Sequence, residues 1–397
     1  MLRVLLLGLG ALSVGTDAYV TAGLLPAIGG DLHEPASVTG QLATVFMLCY
    51  ALLAPLAGAA LGRLGVRQVL IGALGLFCLA NAASAVAPSM PALLVARGVA
   101  GVAAGVFVPV AATAAAALAA PERRGRALSV VLGGLSSGTV AGVPAGLFLS
   151  GHFGWRAALW LVTGLGVVSL TGILALLPDV PGARMPGLRA RAAELADRRV
   201  ALAVLTAFLQ AVASLGLYTY LTTVLDAAEF AGHRTGLWLW GAGGVAGSFL
   251  IGPLLDRTGR PGVQVAVLLA ALSLCLAALP LPTGAAVLPL LVVWGAVGWA
   301  FVVPQQHRLL ALGASGGTAV LALNSSATYL GGSAGSALGG AGLSAGVPAD
   351  HLPLLASAVA AVACALHLLG HRRRRGVSHP APDATPRPGS EQNGELV

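Results

Sequence analysis

Gly252-Pro253-Leu254-Leu255-Asp256-Arg257-Thr258-Gly259-Arg260-Pro261 is a short glycine- and arginine-rich break between two long apolar runs. A worn counterpart, Gly58-Ala59-Ala60-Leu61-Gly62-Arg63-Leu64-Gly65-Val66-Arg67, stands 194 positions earlier, again between two apolar runs. Two matching hairpins about half a chain apart imply two similar halves. In a chain that lives in lipid, duplicated halves point toward a transporter.

Composition supplies the lipid. Of 397 residues, 57% are hydrophobic and 9% charged, where a soluble domain carries about a quarter charged. Mean hydropathy is +0.88. The net charge of +8 comes from 22 arginines without a lysine. They fall in short loops and a tail, which fits orientation in a membrane rather than nucleic-acid binding. Cys49, Cys78, Cys275 and Cys364 are scattered through apolar runs without metal-ligand spacing, so neither a disulfide nor a metal is expected. The first run, from about Val4 to Ile28, is too long for a signal-peptide core and contains Asp17, so it reads as a first span.

A span needs roughly 20 apolar residues, and twelve such runs fit, near 4–27, 40–60, 68–87, 91–115, 127–150, 156–177, 200–224, 235–255, 263–281, 285–304, 317–343 and 352–370. Runs of this length are helical, because lipid leaves the backbone no other partner. The fold expected is an all-α polytopic membrane protein of twelve transmembrane helices in two pseudo-symmetric six-helix bundles, 1–177 and 200–371. A cytoplasmic linker, 178–199, joins them, and a disordered tail, 372–397, follows. Within the linker, Leu188–Leu195 has the pattern of a short amphipathic helix. With a cytoplasmic N-terminus, 19 of the 22 arginines lie inside, leaving Arg97, Arg156 and Arg234. The positive-inside rule therefore places both termini in the cytoplasm of a plasma-membrane protein. Arg372–Arg375 suits stop-transfer, with anionic headgroups as a second possible partner.

Six spans, a linker and six more, with Gly-x-x-x-Asp-Arg-x-Gly-Arg after the second span of a half, resemble the major facilitator superfamily over residues 1 to about 371. The second-half motif, carried by Gly252, Asp256, Arg257, Gly259 and Arg260, is nearly complete. The first keeps Gly58, Arg63, Gly65 and Arg67, with Gly62 where the family usually carries the acid and Val66 where an arginine is common. The resemblance implies that this acid helps latch the cytoplasmic side, so the first latch is missing or moved. Glycines permit the tight turn, and arginines hold it at the headgroups.

Pro121-Glu122-Arg123-Arg124-Gly125-Arg126-Ala127 looks like the loop before the fifth span of drug exporters. Gly138-Thr139-Val140-Ala141-Gly142-Val143-Pro144-Ala145-Gly146 looks like the fifth-span motif of antiporters, and Gly154-Trp155-Arg156 follows as in chloramphenicol-resistance-like and sugar-efflux-like members. Together they are similar to the drug:proton antiporter group. Physically, Gly142 and Gly146 let helices approach closely, and Pro144 removes a backbone bond and can bend the helix. Plain packing explains them equally well.

Two charges sit well inside spans, Asp17 in the first and Arg97 in the fourth. Intramembrane charges cost ~2.5–3.5 kcal/mol on insertion scales and are functional candidates. At 1.5 Å per residue, Asp17 lies about 20 Å above its helix start and Arg97 about 9 Å below its own outer start. In a core ~30 Å thick both fall at similar depth in the outer half. They can meet or face one water-filled cavity; the family architecture, which gathers the first, fourth, seventh and tenth spans around a cavity, favours the second. Arg97-Gly98-Val99-Ala100-Gly101 resembles the fourth-span motif whose arginine is implicated in proton coupling. Burial raises a carboxylate's pKa and a guanidinium lowers it, so alternating access can couple protonation to the open side. A static pair that only holds helices is the competing reading. Several relatives with the Gly15-Thr16 start carry the acid one position later, at Ala18 here, about 100° around the helix.

For the substrate cavity, Gln210, Ser214 and Tyr218 share a face of the seventh span at intervals of four, and Ser13 and Thr21 flank Asp17 likewise. Asn324 pairs with Thr328 in the eleventh span, and Trp294 and Phe301 stand seven apart in the tenth. Cavity lining and inter-helix packing fit the polar residues alike, whereas for Trp294 and Phe301 aromatic core packing is the stronger reading and an apolar wall for a flat ligand the alternative. Few charges and many apolar groups suit an amphipathic, neutral or weakly cationic molecule; a phosphate would need a basic cluster. The function expected is proton-coupled export of small amphipathic compounds, such as an antibiotic. Export of sugars or other polar metabolites is the alternative. An enzyme or receptor is disfavoured, since no Ser/His/Asp grouping, HExxH or nucleotide loop is present. The partners expected are a small molecule, protons and membrane lipid, with no cofactor or nucleic acid, and a monomer.

Overall fold

In the computed structural model the described residues are 1–60, 64–120, 123–179, 193–312 and 318–375. Their secondary structure is helical, with short connections and no strand among them. The long helices are α1 (Leu2–Leu32), α2 (Gln41–Ala60), α3 (Val66–Ala85), α4 (Met90–Leu118), α5 (Arg124–Ser137, continued through Gly138–Gly142 to Val143–Phe153), α6 (Trp155–Leu176), α7 (Arg198–Thr219), α8 (His233–Thr258), α9 (Pro261–Ala278), α10 (Gly284–Val287, Leu288–Ala300 and Val302–Leu310), α11 (Thr318–Ser344) and α12 (Leu352–Arg375). Among the described residues, 11 helices are long and apolar enough to cross a membrane, α11 not being one of them. Gly62, Arg63, Pro121, Glu122, most of the linker and the tail from 376 lie outside the described residues.

Local chemistry explains where the helices stop. Gly259 adopts φ 59° and its N–H bonds back to Leu255, so the polar break ends α8 in a left-handed turn that only glycine makes cheaply. Gly154 at φ 84° forms the sharp corner between α5 and α6. At the start of α3, the Gly65 N–H is capped by Gln68 Oε1 at 3.3 Å. The predicted and observed ends agree within a few residues, with four exceptions. α10 runs on to Leu310, α1 to Leu32 and α12 to Arg375, past 372 where the sequence predicts a disordered tail, and α7 stops at Thr219 rather than 224.

The helix pairings of the first half recur in the second. α1 packs on α5 and α6, α2 on α4, and α3 on α4 and α6; α7 packs on α11 and α12, α8 on α10, and α9 on α10 and α12. The repeat extends to atoms. A Cβ at Gly134 or Gly138 would run into the carbonyl oxygens of Gly8 or Leu12, and one at Gly331 or Gly335 into those of Phe208 or Val212. Gly101 meets the Phe46 carbonyl between α2 and α4, as Gly243 and Gly247 meet Val292 and Ala296 between α8 and α10. Helices in lipid gain no hydrophobic drive from meeting each other, so backbone approach through small residues provides the contact.

The halves meet chiefly through α2 against α11, with α5 against α8 and α1 against the short helix Leu221–Ala227. The face carrying the two polar breaks is termed the hairpin face. Hydrogen bonds across the seam lie at mid-depth or beyond, toward the opposite face: Ser333 Oγ to the Thr44 carbonyl at 2.9 Å and Ser336 Oγ to the Gly40 carbonyl at 3.1 Å. The largest buried apolar cluster also bridges the halves there, from Leu24 and Trp155 to Leu221 and Leu291.

Candidate functional site: a buried ion pair beside the seam

Asp17 and Arg97 meet directly. Arg97 NH1 donates to Asp17 Oδ1 at 2.5 Å, and the two side chains are 2% and 0% exposed. The equal depths counted along α1 and α4 therefore become contact, rather than two groups facing one cavity. Asn81 of α3 completes the cluster: Nδ2 donates to Asp17 Oδ2 at 3.5 Å, and Oδ1 accepts from Arg97 NH1 at 3.4 Å. The Arg97 guanidinium lies over the Phe46 ring, 4.6 Å from its centroid, and Arg97 Nε has no partner. Asn81 went unnoticed in the sequence, although an amide inside an apolar span is itself a signal.

The opposite face of α1 serves the seam. Tyr19, two residues beyond Asp17, accepts a bond from Tyr218 Oη at its carbonyl, 3.1 Å away. Its ring packs against Tyr218, Trp240 and Trp299 at centroid distances of 5.9, 6.3 and 5.4 Å. Tyr50 stacks on Tyr329 across the halves at 3.7 Å, and Tyr220 Oη bonds to the Ser336 carbonyl beside them. All five tyrosines of the chain thus line or abut the seam. Tyr19, Trp299 and Tyr329 remain partly exposed, and the indole N–H of the buried Trp240 has no partner.

The other candidate residues are placed as follows. Ser13 Oγ bonds to the Val162 carbonyl of α6 at 2.7 Å, and Thr21 Oγ1 to the Asp17 carbonyl at 3.1 Å. Gln210 Nε2 reaches the Gly298 carbonyl at 3.3 Å, and Ser214 Oγ accepts from Trp294 Nε1 at 2.9 Å. The α7 stripe is real, but its first two members are spent on α10 and only Tyr218 reaches the other half. Trp294 packs in the aromatic cluster with Trp240, whereas Phe301 belongs to a separate cluster with Ala207, Val265 and Leu269. Asn324 is buried, its Oδ1 without a partner, and its carbonyl accepts from Thr328.

In α5, Gly138–Gly142 form a π-turn, and a Cβ at Gly142 would overlap the Thr16 side chain. Pro144 follows two residues after the turn, and Gly146 packs on Val20. At the hairpin face, Asp256, Arg257, Gly259 and Arg260 are exposed, Gly252 is half-buried and Arg67 NH2 bonds to the Leu174 carbonyl at 2.8 Å. Gly58 lies within α2. On the opposite face, Arg156 bonds to Asp31 at 2.6 Å, and Trp155 Nε1 reaches the same carboxylate oxygen at 3.2 Å. Among the described residues no group of three or more His, Cys, Asp or Glu stands ready to hold a metal.

Comparison with known proteins agrees with this architecture. The profile described as Major Facilitator Superfamily matches residues 7–336. The inner membrane transport protein YdhP of Escherichia coli is 31% identical over 382 residues, covering 93% of this chain and 96% of that protein. A chloramphenicol resistance protein of Streptomyces lividans is 35% identical over 272 residues, 66% of this chain and 68% of that one. A bacterial homolog of the human lysosomal transporter Spinster, in an inward-facing and unoccupied conformation, superposes with TM-score 0.77 at 16% identity over 96% of this chain and 98% of that one.

Proposed function

The chain belongs to the Major Facilitator Superfamily, a multi-pass membrane transporter and not an enzyme, and on that premise we propose that it exports small amphipathic compounds in exchange for protons. The observation that carries this reading is the sealed Asp17–Arg97 pair, a carboxylate and its counter-ion inside the membrane. Protonation neutralises the carboxylate and weakens its tie to α4 and α3. Two residues away, the same stretch of α1 holds the other half through the Tyr19 carbonyl. A proton bound at Asp17 therefore acts on the helix that helps close the seam.

The remaining framework follows. Twelve spans form two pseudo-symmetric six-helix bundles, 1–177 and 200–371, joined by a cytoplasmic linker. The repeated helix pairings support this division. With both termini cytoplasmic, the hairpin face is the inner one, and the seam closed toward the opposite face makes this an inward-facing arrangement. Arg67, Asp256, Arg257 and Arg260 act in the closed-inside state. The protein works as a monomer in the plasma membrane.

The partly exposed Tyr19, Trp299 and Tyr329 offer rings to an amphipathic substrate, and most of the polar α7 side chains are already bonded to protein. This favours a compound such as an antibiotic over a sugar, as does the similarity to a chloramphenicol resistance protein. The test is transport in proteoliposomes under an imposed proton gradient, with chloramphenicol first in a panel of compounds. Asp17→Asn should keep binding and lose uphill export. Undiminished uphill export by that variant would sink the coupling role.

A further inference from the structure

The geometry points to Asn81 as a positioning residue for proton exchange at Asp17, its side-chain oxygen holding Arg97 while the carboxyl is neutral; this rests on Asp17 being the proton carrier. Asn81 is fully buried near the C-terminal end of α3. The orientation of its amide is dictated by its neighbours. Nδ2 donates to the Phe77 carbonyl at 3.1 Å, and a carbonyl can only accept. Arg97 can only donate, so Oδ1 must face it. Exchanging O and N would set acceptor against acceptor and donor against donor.

Arg97 needs such a partner. NH1 makes both the bond to Asp17 and the longer approach to Asn81, while Nε is unpartnered and the guanidinium lies over Phe46. With the carboxylate ionised, the cluster is neutral. A proton from water added to the carboxylate gives Asp17 a carboxyl group and the cluster a net charge of one, all of it on Arg97. A buried guanidinium that loses its anion is strongly disfavoured unless another acceptor takes the hydrogen bond. Asn81 Oδ1 is already oriented for that, and release of the proton to water on the other side reverses the exchange.

The donor side of Asn81 works the opposite way, since Nδ2 helps the ionised carboxylate, but it is the lesser effect. Phe77 holds that nitrogen more closely, and Asp17 already has Arg97 at 2.5 Å. Around Asp17, α4 contributes the charge of Arg97 and α3 the neutral Asn81, while Ser13, Thr16 and Thr21 of α1 are uncharged. From α5 and α6 the groups bonded to this stretch are the carbonyls of Gly138 and Val162, neither of which titrates.

The test is an infrared pH titration of the purified full-length protein, following the carboxyl band that disappears in Asp17→Asn. In Asn81→Leu the midpoint for protonating Asp17 should fall by about one pH unit, because Arg97 then depends on the carboxylate alone. In Asn81→Asp, read against the Asp17→Asn/Asn81→Asp double variant, a second carboxylate serves Arg97 and the midpoint should rise. An unchanged or raised midpoint in Asn81→Leu overturns the inference. If Asn81→Leu does not fold, the direction in Asn81→Asp decides. The absence of any Asp17 band in the unmodified protein would overturn the coupling reading itself, whereas a normal band indifferent to position 81 removes only the role of Asn81.

Discussion

The two halves share helix pairings down to their glycine-to-carbonyl contacts, yet beside the seam they bury different chemistry. Inside the first half, α1, α3 and α4 enclose an ion pair and an amide. In the second, α7, α8 and α10 enclose Ser214, Trp240 and Trp294, without a charge at that spot. The hairpins divide the other way, since the second keeps Asp256 and the first has Gly62. The repeated scaffold thus holds different groups next to the seam: an ion pair on the first-half side, and indole rings with a hydroxyl on the second-half side.

The contrast breaks most readily at the ion pair. Arg97→Leu leaves a buried carboxylate without its partner and should destabilise the protein by about 3–5 kcal/mol, seen as a large fall in the melting temperature in detergent. Asp17→Leu/Arg97→Leu should recover most of that loss, because removing both charges is far less costly than removing one. A double variant as unstable as the single one would show that the site depends on shape rather than charge.

The shared scaffold is the next target. Gly138→Val on α5 and its counterpart Gly335→Val on α11 each drive a side chain into a neighbouring carbonyl, and each should cost about 1–3 kcal/mol. Comparable losses would confirm that the halves depend equally on close backbone approach; a loss confined to one half would show that only the pairing is repeated. A smaller effect belongs to the seam. Tyr218→Phe removes one bond between the halves, worth about 0.5–1.5 kcal/mol, and should shift the balance several-fold away from this closed seam. Distances between spin labels on either side of it would report the change. Smallest of all is Asp256→Asn, which should leave the melting temperature of this conformation unchanged because the side chain is exposed.

Much of this was legible in the sequence. Apolar runs and polar breaks are one-dimensional signals, so the helices fell within a few residues of expectation. The equal depth of Asp17 and Arg97 followed from counting rise along two antiparallel helices, but their direct contact did not, since depth alone left a shared cavity as the favoured arrangement. Direction around a helix is different, because a stripe tells which residues share a face and not what that face meets. Gln210 and Ser214 turned toward α10, and Trp294 and Phe301 found different neighbours because α10 passes from one cluster to another within seven residues. Tyr19 and Trp299 escaped notice because an isolated aromatic in an apolar run carries no local mark; only the meeting of four helices makes them a wall.

The π-turn at Gly138–Gly142 has a consequence for phase. A turn closed by i→i+5 bonds holds one residue more than an α-turn, so everything beyond it is rotated by about 100° relative to an unbroken helix. Gly134 before the turn, Gly138 at its start and Gly146 after it all meet α1, at Gly8, Leu12 and Val20, while the turn and the segment beyond it also reach α8. A single residue's worth of slack lets one helix keep two appointments, one inside its own half and one across the seam. Deleting one residue there would restore a uniform helix and force it to miss one of them.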